Sequence, residues 1–371
     1  MDKLSVVIDQ GTNIRVGYAG ESEPRSIFSS IVGRPKEIGS EDKDYYIGKF
    51  AEEKESVLKF ESPFTNGIIT DYDSWGKVYE FIYSDELKTS FEEHPVLITC
   101  PTNTPDINKE KLACLMMESY GVPSLYIANK AELITFSVCR LSGFVFDSGE
   151  TMTEIAPVLE GKAIKDKVEF FQLGGNDINE YLEDVLSTYH VPLTTRNEKK
   201  IVEQIKKEMC YVALNYEEET KKIKENEYVL PNGDKIQLNS SIYTGSEIMF
   251  NPSFVGMGEK GIVQRCCDII NKFEGIEEKQ ELFSYVILSG GNTMMKGFDA
   301  RFIKDIKEIA PAEMKDSLNV VAMPHRDDHA WIGGSIFASV SSYKKKFITK
   351  EEYNEFGSQY ILEKIKKEPF I

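Results

Sequence analysis

Short apolar runs separated by polar or glycine-containing turns open the chain. Three such runs predict consecutive strands of a mixed sheet, at residues 4–8, 14–19 and 26–33. Apolar residues at helical spacing then predict three helices, at residues 74–84, 108–120 and 130–141. The run Pro-Val-Leu-Ile-Thr at residues 95–99 predicts a buried strand between the first two of these helices. This alternation of strands and helices is typical of an α/β fold.

A second unit begins at Gly143 and repeats the opening plan of turn and strands, which predicts an internal duplication. A strand at residues 168–173 leads into a mostly helical insertion at residues 176–251. That insertion contains a predicted helix at 198–215 and a charged stretch at 217–227, which we interpret as a solvated face or a hairpin. A helix at residues 331–343 and a last short helix complete the pattern.

Length and charge narrow the class of protein. With 371 residues the chain exceeds one ordinary core, so we expect two lobes with a ligand cleft between them. The net charge of -17 argues against a nucleic-acid surface and against binding to anionic membranes. The sequence has no apolar run of the roughly 18 to 20 residues needed for membrane insertion and no signal peptide, so we expect an intracellular protein. Six scattered cysteines are interpreted as buried, reduced thiols.

The candidate chemistry lies in two Asp-x-Gly turns that follow strand-like runs, at residues 6–12 and 144–150. A glycine that tolerates positive φ lets the chain reverse and turn several N–H groups toward an anion. The carboxylates of Asp9 and Asp147 would then touch the waters of one nucleotide-bound Mg²⁺ from opposite sides. A third turn, at residues 286–293, adds a glycine pair that fits against a base or ribose. Each turn alone is more often only the end of a strand, but three in order indicate a nucleotide site.

Seven segments resemble, in order and near their spacing, the signature segments of the actin family. They are Ile-Val-Gly-Arg-Pro at 31–35, Glu-Glu-His-Pro-Val-Leu at 92–97, Asp-Ser-Gly at 147–149, Cys-Tyr-Val-Ala-Leu at 210–214, Pro-Ser-Phe-Val-Gly-Met at 252–257, Leu-Ser-Gly-Gly at 288–291 and Trp-Ile-Gly-Gly-Ser at 331–335. The resemblance implies an actin-like duplicated fold of two RNase-H-like lobes with four subdomains around a nucleotide cleft. Its cofactor would be ATP or ADP with Mg²⁺, with Ca²⁺ as the alternative cation. The implied subdomains are 1 (1–31, 63–137 and 329–371), 2 (32–62), 3 (138–173 and 259–328) and 4 (174–258).

The resemblance also implies site residues, carried over position by position. Asp9 and Asp147 would hold the cation through water. Residues implied to cradle the phosphates are Gly11, Thr12, Asn13, Ser148, Gly149, Glu150 and Thr151, with Arg15 near the place of a phosphate-facing lysine. Residues implied to surround the nucleoside are Gly175, Asp177, Lys206, Gly290, Gly291 and Met294.

Several positions depart from the family pattern. The hairpin at residues 9–17 is one residue short and carries Asn13 where actin has glycine, which puts the reach of Arg15 in doubt. Lys130 stands at the position of the catalytic glutamine, and a charged lysine accepts no hydrogen bond from water. Three further positions change charge or type, namely Glu154 for a histidine, Lys207 for a glutamate and Asp327 for a lysine. We therefore predict nucleotide binding with weak or absent hydrolysis, the alternative being that Lys130 is a plain surface lysine and the charge changes lie on a solvated rim.

Polymer contacts are altered as well. The loop at residues 36–43 is shorter than the family's and mostly charged, and Lys346 enters the groove that would receive it, so we predict poor self-polymerisation. The apolar loop at 254–257 is retained as a contact or, alternatively, as buried core. The basic segment at 363–371 is interpreted as a frayed surface helix, with a partner-binding helix as the alternative.

Three functions remain open. The favoured one is a nucleotide-binding structural subunit of a cytoskeletal complex, because segments near residues 81–91, 295–298 and 343–353 lean toward centractin, the actin-related protein of the dynactin filament. Its partners would be other actin-family or cytoskeletal-complex subunits, with no nucleic acid. The alternatives are a self-assembling ATPase of the actin type and a scaffold module of a chromatin-remodelling complex. We expect a cytoplasmic, cytoskeletal location, with the nucleus as the alternative.

Overall fold

The fold is described from a computed structural model that covers residues 3–37, 39, 41–222, 225–258 and 260–367, with side chains up to residue 365 in the last range. Its strands are β1 (Val6–Asp9), β2 (Asn13–Tyr18), β3 (Ser26–Ser29), β4 (Val32–Pro35), β5 (Tyr46–Ile47), β6 (Leu58–Glu61), β7 (Phe64–Thr65), β8 (Ile68–Ile69), β9 (Val96–Cys100), β10 (Ser124–Asn129), β11 (Gly143–Ser148), β12 (Thr153–Leu159), β13 (Lys162–Ala163), β14 (Glu169–Phe171), β15 (Glu227–Val229), β16 (Lys235–Gln237), β17 (Val286–Ser289), β18 (Val320–Val321) and β19 (Ile348–Thr349). Its helices are α1 (Lys49–Glu53), α2 (Tyr72–Phe81), α3 (Asp106–Cys114), α4 (Lys130–Ser137), α5 (Gly175–Ser187), α6 (Arg196–Glu208), α7 (Tyr216–Thr220), α8 (Ser241–Glu247), α9 (Ile262–Ile270), α10 (Ile276–Phe283), α11 (Phe298–Ile309), α12 (His329–Ser339), α13 (Lys350–Phe356) and α14 (Gln359–Lys367).

Internal contacts divide the chain into two compact units. The first comprises Met1–Val145, Ala156–Asp166 and Asp328–Ile371, and the second comprises Phe146–Ile155 and Lys167–Asp327. The finer division into four subdomains stays a prediction.

A six-stranded sheet forms the centre of the first unit, in the order β19-β10-β9-β1-β2-β3. Strands β10, β9 and β1 run parallel, whereas β1, β2 and β3 form an antiparallel meander. Every residue of β1 and β9 is buried, as expected for strands that are covered on both faces. Val6 and Ile8 belong to the core on one face of the sheet, and Val7 belongs to the core on the other.

Helices α4 and α12 pack with their backbones in contact beside this sheet. A Cβ atom on Gly333 in α12 would lie 1.9 Å from the carbonyl oxygen of Leu133 in α4, so no larger residue fits there. The fully buried Trp331 donates from Nε1 to the carbonyl of Val7 at 3.1 Å and so ties α12 to β1. The first residues of α4 therefore have a fixed position relative to the end of β1.

The second unit is built around strands β12, β11, β17 and β18 in that order, with β14 pairing with β12. Strands β17 and β18 are parallel, and β15 and β16 form a separate hairpin. The rings of Phe146, Phe298 and Phe302 fill the core between 5.4 and 6.2 Å of one another. The sequence-based expectation of a duplicated α/β fold is thus confirmed, because each unit combines parallel and antiparallel strand pairs with helices.

Several predicted element bounds were wrong. The strand expected at 26–33 is two strands, β3 and β4, which belong to different sheets. The helix expected at 130–141 ends at Ser137, because Cys139 adopts a left-handed φ of 57° that a helix does not allow. The helix expected at 198–215 ends at Glu208. Within the described part of the charged stretch at 217–227, a short helix precedes the first strand of a hairpin.

Three further expectations can be compared with the described residues. Cys139 is exposed and Cys114 is half-buried, so the expectation that all six thiols are buried was wrong for these two. Of the segment at 363–371, residues 368–371 lie outside the described residues. Within α14, Lys364 is buried and pairs with Glu352 at 2.8 Å, so this part of the helix is not frayed. No helix among the described residues is both long and apolar enough to cross a membrane.

Candidate functional site

The carboxylate of Asp9 ends strand β1 and is almost completely buried, with 3% of the residue exposed. Strand β9 runs parallel beside β1, and its Thr99 donates from Oγ1 to Asp9 Oδ1 at 2.6 Å. The same threonine oxygen accepts from the N–H of Gln10 at 3.2 Å. One buried hydroxyl therefore fixes both the carboxylate and the first peptide of the turn that follows.

Lys130 is the first residue of α4, and its ammonium reaches the same carboxylate. Its Nζ lies 3.1 Å from Asp9 Oδ1 and 3.4 Å from the carbonyl oxygen of Gln10. Only 16% of the lysine side chain is exposed. The side chain of Asn129 caps the helix by accepting from the N–H groups of Ala131 and Glu132, so the backbone that carries Lys130 is fixed. The alternative that Lys130 is a plain surface lysine was wrong.

Gln10 anchors the first turn from behind. Its Oε1 accepts from the hydroxyl of Tyr79 at 3.0 Å, and its Nε2 lies 3.5 Å from Cys100 Sγ. All three groups are buried, and burial raises the pKa of the Cys100 thiol to about 11. This turn is therefore held by side chains on its inner side, which leaves its outer side to a ligand.

Arg15 pairs with a carboxylate that the sequence analysis did not single out. The guanidinium Nε of Arg15 donates to Asp328 in the same unit, and both side chains are mostly buried. The neighbouring carboxylate offsets part of the positive charge on Arg15. A phosphate contact by this arginine stays a prediction, and Lys130 is the better-placed cation at the turn.

In the second unit, β11 delivers Asp147 and Ser148 to the second turn, and a buried network fixes that turn. Thr153 donates from Oγ1 to the carbonyl of Leu173 at 2.6 Å, so the Ser148 hydroxyl, 2.9 Å away, acts as the donor between the two hydroxyls. Asn292 donates from Nδ2 to Ser148 Oγ at 3.0 Å and to the carbonyl of Gly149 at 2.7 Å. The third turn is thereby joined to the second.

Gly290 explains why the third turn needs glycine. Its φ is 87°, and a Cβ at this position would lie 2.2 Å from the carbonyl oxygen of Ser148. Its N–H donates to the carbonyl of Arg326 at 3.2 Å, and Arg326 in turn donates to Thr293. By contrast, a Cβ on Gly291 would meet no atom within 4 Å. The first glycine is thus structural, and the second faces open space.

A cluster of polar groups surrounds the head of helix α5. Lys206 donates from Nζ to the carbonyl of Gly175 at 3.1 Å, and Asn179 donates to Glu150 Oε1 at 3.2 Å. Burial lowers the pKa of Lys206, and the charge of Glu150 partly opposes that shift. A Cβ on Gly175 would lie 2.9 Å from Asn292 Oδ1, so the backbone passes close to this cluster. The structure therefore brings the predicted residues Glu150, Gly175 and Lys206 together.

Other predicted residues have mixed placements. Asp177 accepts from the N–H of the N-cap residue Gly174 at 2.7 Å, which gives this carboxylate a structural role at the start of α5. Met294 is 41% exposed beside the third turn. Lys207 is exposed on α6, in agreement with the solvated-rim alternative.

The first two turns offer backbone donors, although not through the predicted conformation. Neither Gly11 nor Gly149 has a positive φ, so the expectation that these glycines reverse the chain in that way was wrong. The first turn is instead an open bend held by the side-chain network described above, and in the second turn the N–H of Gly149 donates to the carbonyl of Met152 at 3.0 Å. Among the described residues, the N–H groups of Gly11, Thr12, Glu150 and Thr151 donate to no protein acceptor. Such donors are available to an anion.

The donor set suits phosphate better than a divalent cation at Asp9. A hydrated Mg²⁺ needs carboxylate lone pairs that face its waters. Asp9 Oδ1 already accepts from Thr99 and pairs with Lys130. No group of three or more His, Cys, Asp or Glu side chains in the described ranges has an arrangement that could ligate a metal directly. Asp9 and Asp147 as water-mediated cation residues stay a prediction.

Sequence reasoning missed four residues of these clusters, namely Thr99, Asn179, Arg326 and Asp328. Thr99 could have been identified from the sequence, because a polar residue near the end of an otherwise apolar strand lies beside the last residues of the neighbouring strand. The Arg15–Asp328 pair joins residues 313 positions apart, and no local pattern announces it.

The sequence predicted altered or retained polymer contacts at three places, namely the loop at 254–257, the loop at 36–43 and Lys346. Phe254, Val255 and Met257 are 45%, 36% and 41% exposed, so the buried-core alternative for this loop was wrong. The loop at 36–43 includes residues 38 and 40, which lie outside the described residues. Lys346 places its Nζ 5.7 Å from the ring centre of Tyr343.

Comparison with known proteins agrees with this architecture. The sequence profile of the actin family matches residues 2–366. A protein of Neurospora crassa described as "Actin-like protein" is 34% identical over 364 residues, which cover 94% of this chain and 95% of that protein. A match of this extent to both a family profile and a full-length relative leaves one assignment, and the chain belongs to the actin family.

Proposed function

We propose that this chain is an actin-related protein that binds an adenine nucleotide and serves as a structural subunit of a cytoskeletal complex, with little or no ATP hydrolysis. The observation that carries the proposal is that four turn N–H groups, those of Gly11, Thr12, Glu150 and Thr151, have no protein acceptor among the described residues. The first turn follows a strand that ends at Asp9, and the second follows a strand whose last two residues are Asp147 and Ser148. ATP or ADP is the nucleotide expected from membership of the actin family.

The weak hydrolysis follows from Lys130. Phosphoryl transfer to water requires a group that orients the attacking water, and an amide side chain does so by accepting and donating hydrogen bonds. The ammonium of Lys130 only donates, and it is directed at Asp9 and at the Gln10 carbonyl. A cation in this position suits holding a phosphate rather than activating water.

The structural role is favoured by the loop at 254–257. Three exposed apolar side chains on one short loop, Phe254, Val255 and Met257, favour a protein contact over exposure to water. The same loop is the observation that favours the second candidate, a self-assembling ATPase of the actin type. The charged loop at 36–43 and Lys346 disfavour self-assembly and so favour assembly with other subunits. The candidate complex is a dynactin-like filament.

Nucleotide retention tests the proposal directly. Purified protein in the presence of Mg²⁺ should retain an adenine nucleotide, which is identified by chromatography after denaturation. If a bound divalent cation joins Asp147 to the phosphates, the variant Asp147→Ala should release the nucleotide in MgCl₂ at least about tenfold faster, because a charge-assisted contact is worth on the order of 1.5 kcal/mol or more. Unchanged release would mean that no cation is held at Asp147. The matched control is Asp184→Ala, an exposed acidic residue on α5 of the same unit, with release unchanged. Protein that neither retains nor binds adenine nucleotide refutes the proposed function.

Hydrolysis and assembly are tested separately. Lys130→Gln should raise phosphate release above that of the natural sequence, which should stay near background. Brisk turnover by the natural sequence would instead identify an active ATPase. Sedimentation with Mg-ATP should leave the protein alone in the supernatant, and robust pelleting would favour self-assembly.

A further inference from the structure

We infer that Lys130 is a built-in cation that takes over, at Asp9, the charge of the divalent metal ion, so that the nucleotide is held without one. The inference rests on the proposed function, because it concerns how the same nucleotide site is neutralised. It adds a role for one residue and changes the expected cofactor requirement from nucleotide with metal to nucleotide alone.

The first step is the position of the charge. Lys130 Nζ lies 3.1 Å from Asp9 Oδ1, and the exposed fractions of the two side chains are 16% and 4%. Water screens such a pair far less than it screens a surface ion pair. Thr99 donates to the same carboxylate oxygen, so this oxygen is already satisfied by two donors. A hydrated metal ion that approaches Oδ1 would have to compete with both of them.

The second step is the hydrogen-bonding capacity of the ammonium, which carries three N–H donors. The ammonium also lies beside the open bend of the first turn, 3.9 Å from the place of a Cβ on Gly11. The N–H groups of Gly11 and Thr12 are the turn's donors without a protein acceptor. Backbone donors and a lysine charge at one turn form a phosphate-binding arrangement that needs no ion between protein and ligand.

The third step is that other cations near the turn are already engaged. The guanidinium of Arg15 donates to Asp328, which offsets its charge. A metal ion next to Lys130 would bring two like charges together, whereas the polyphosphate of a nucleotide is attracted to the lysine directly. The energetically simpler occupant of the first turn is therefore the phosphate chain itself.

A purely structural lysine predicts different behaviour. If Lys130 served only to neutralise the buried Asp9, its removal would lower stability and leave the metal requirement of nucleotide binding unchanged. If it replaces the metal charge, its removal should create a metal requirement that the natural sequence lacks. The metal dependence of binding separates these two roles.

The experiment measures release of a fluorescent etheno-adenosine nucleotide in MgCl₂ and in EDTA. For the natural sequence we expect the two release rates to agree within about threefold. For Lys130→Gln we expect release in EDTA to be at least about tenfold faster than in MgCl₂, as the metal becomes the only compensating charge. Lys130→Arg should behave like the natural sequence because it keeps the charge. Lys59→Gln, which removes a lysine with 74% of its side chain exposed in the same unit, is the control for net charge.

The outcomes are distinguishable. Binding in MgCl₂ that is lost in EDTA by the natural sequence overturns the inference and leaves the proposed function intact. Equal release by Lys130→Gln in both solutions also overturns it. No binding in either solution refutes the proposed function itself. The natural-sequence comparison needs no variant, so it decides the question even if Lys130→Gln folds poorly, which thermal unfolding would reveal.

Discussion

Substitution of Gly290 by alanine tests whether the third turn is fixed by its contact with the second. The added Cβ would lie 2.2 Å from the carbonyl oxygen, 2.6 Å from the carbonyl carbon and 2.7 Å from the nitrogen of Ser148. All three are backbone atoms of a buried strand end, so no flexible side chain can move aside. The φ of 87° adds a second penalty, because an L-residue is strained there.

The expected loss follows from adding the two penalties. A backbone with φ 87° and ψ 156° lies in a region that is essentially restricted to glycine and costs another residue about 1–3 kcal/mol, and overpacking of a fixed core costs about 1–3 kcal/mol. We therefore expect Gly290→Ala to lower the free energy of unfolding by about 2–6 kcal/mol. Urea denaturation followed by far-UV circular dichroism measures this loss. Both tryptophans, Trp75 and Trp331, lie in the first unit, so their fluorescence supplies a reference signal from outside the mutated unit.

The neighbouring glycine supplies the matched control. A Cβ on Gly291 meets nothing within 4 Å, and its φ is not positive, so Gly291→Ala should change the free energy of unfolding by less than about 1 kcal/mol. A small loss in both variants would contradict the close approach of the third turn to Ser148. A large loss in both variants would contradict the assignment of open space to Gly291.

Three further predictions concern titration and ion pairs. In the native protein near pH 8, a maleimide should label Cys139 fast and Cys100 hardly at all, because a thiol with a pKa of about 11 is only about 0.1% thiolate there; mass spectrometry of peptides after brief labelling checks this, and fast labelling of Cys100 would contradict its burial. Burial raises the pKa of Glu132, so the native state binds the proton of this carboxyl more tightly than the unfolded chain does, and the free energy of unfolding should fall as pH rises from about 4.5 through the native pKa. In Glu132→Gln this part of the pH dependence of Tm should disappear. An unchanged Tm profile would refute the raised pKa of Glu132. Arg301 pairs through two nitrogens with the buried Glu247 at 2.9 Å, so Arg301→Met should lower the free energy of unfolding, measured by urea denaturation, by about 3–5 kcal/mol. The double variant with Glu247→Leu should recover part of this loss. A double variant no more stable than Arg301→Met would show that the unpaired buried carboxylate is not the cause.

The sequence located the candidate site well where the signal was local. Strands that end in Asp9 and Asp147, and a glycine pair at the third turn, could be read directly from short runs of residues. The duplicated α/β plan was predictable for the same reason, because apolar periodicity within each element indicates its type. These features depend only on neighbours in the chain.

What could not be predicted depends on partners distant in sequence. Thr99 reaches Asp9 only because β1 and β9 pair in one register, and no local pattern sets that register. Lys130 could be named from its position, but its direction toward Asp9 follows from where α4 begins in space. At Gly11 the local sequence pattern suggested a positive φ, which the structure does not have. The turn is instead fixed by the side chain of the preceding Gln10, which accepts a hydrogen bond from Tyr79.

The backbone contact between Gly333 and Leu133 has a consequence for how inherited or engineered variants of this chain are interpreted. Any side chain at Gly333 would push α4 along or away from α12, and α4 begins with Lys130. A lesion 203 positions downstream would therefore mimic loss of the lysine's charge at the first turn while leaving the lysine itself in the sequence. In a screen for altered nucleotide handling, Gly333 and Lys130 should fall into the same phenotypic class.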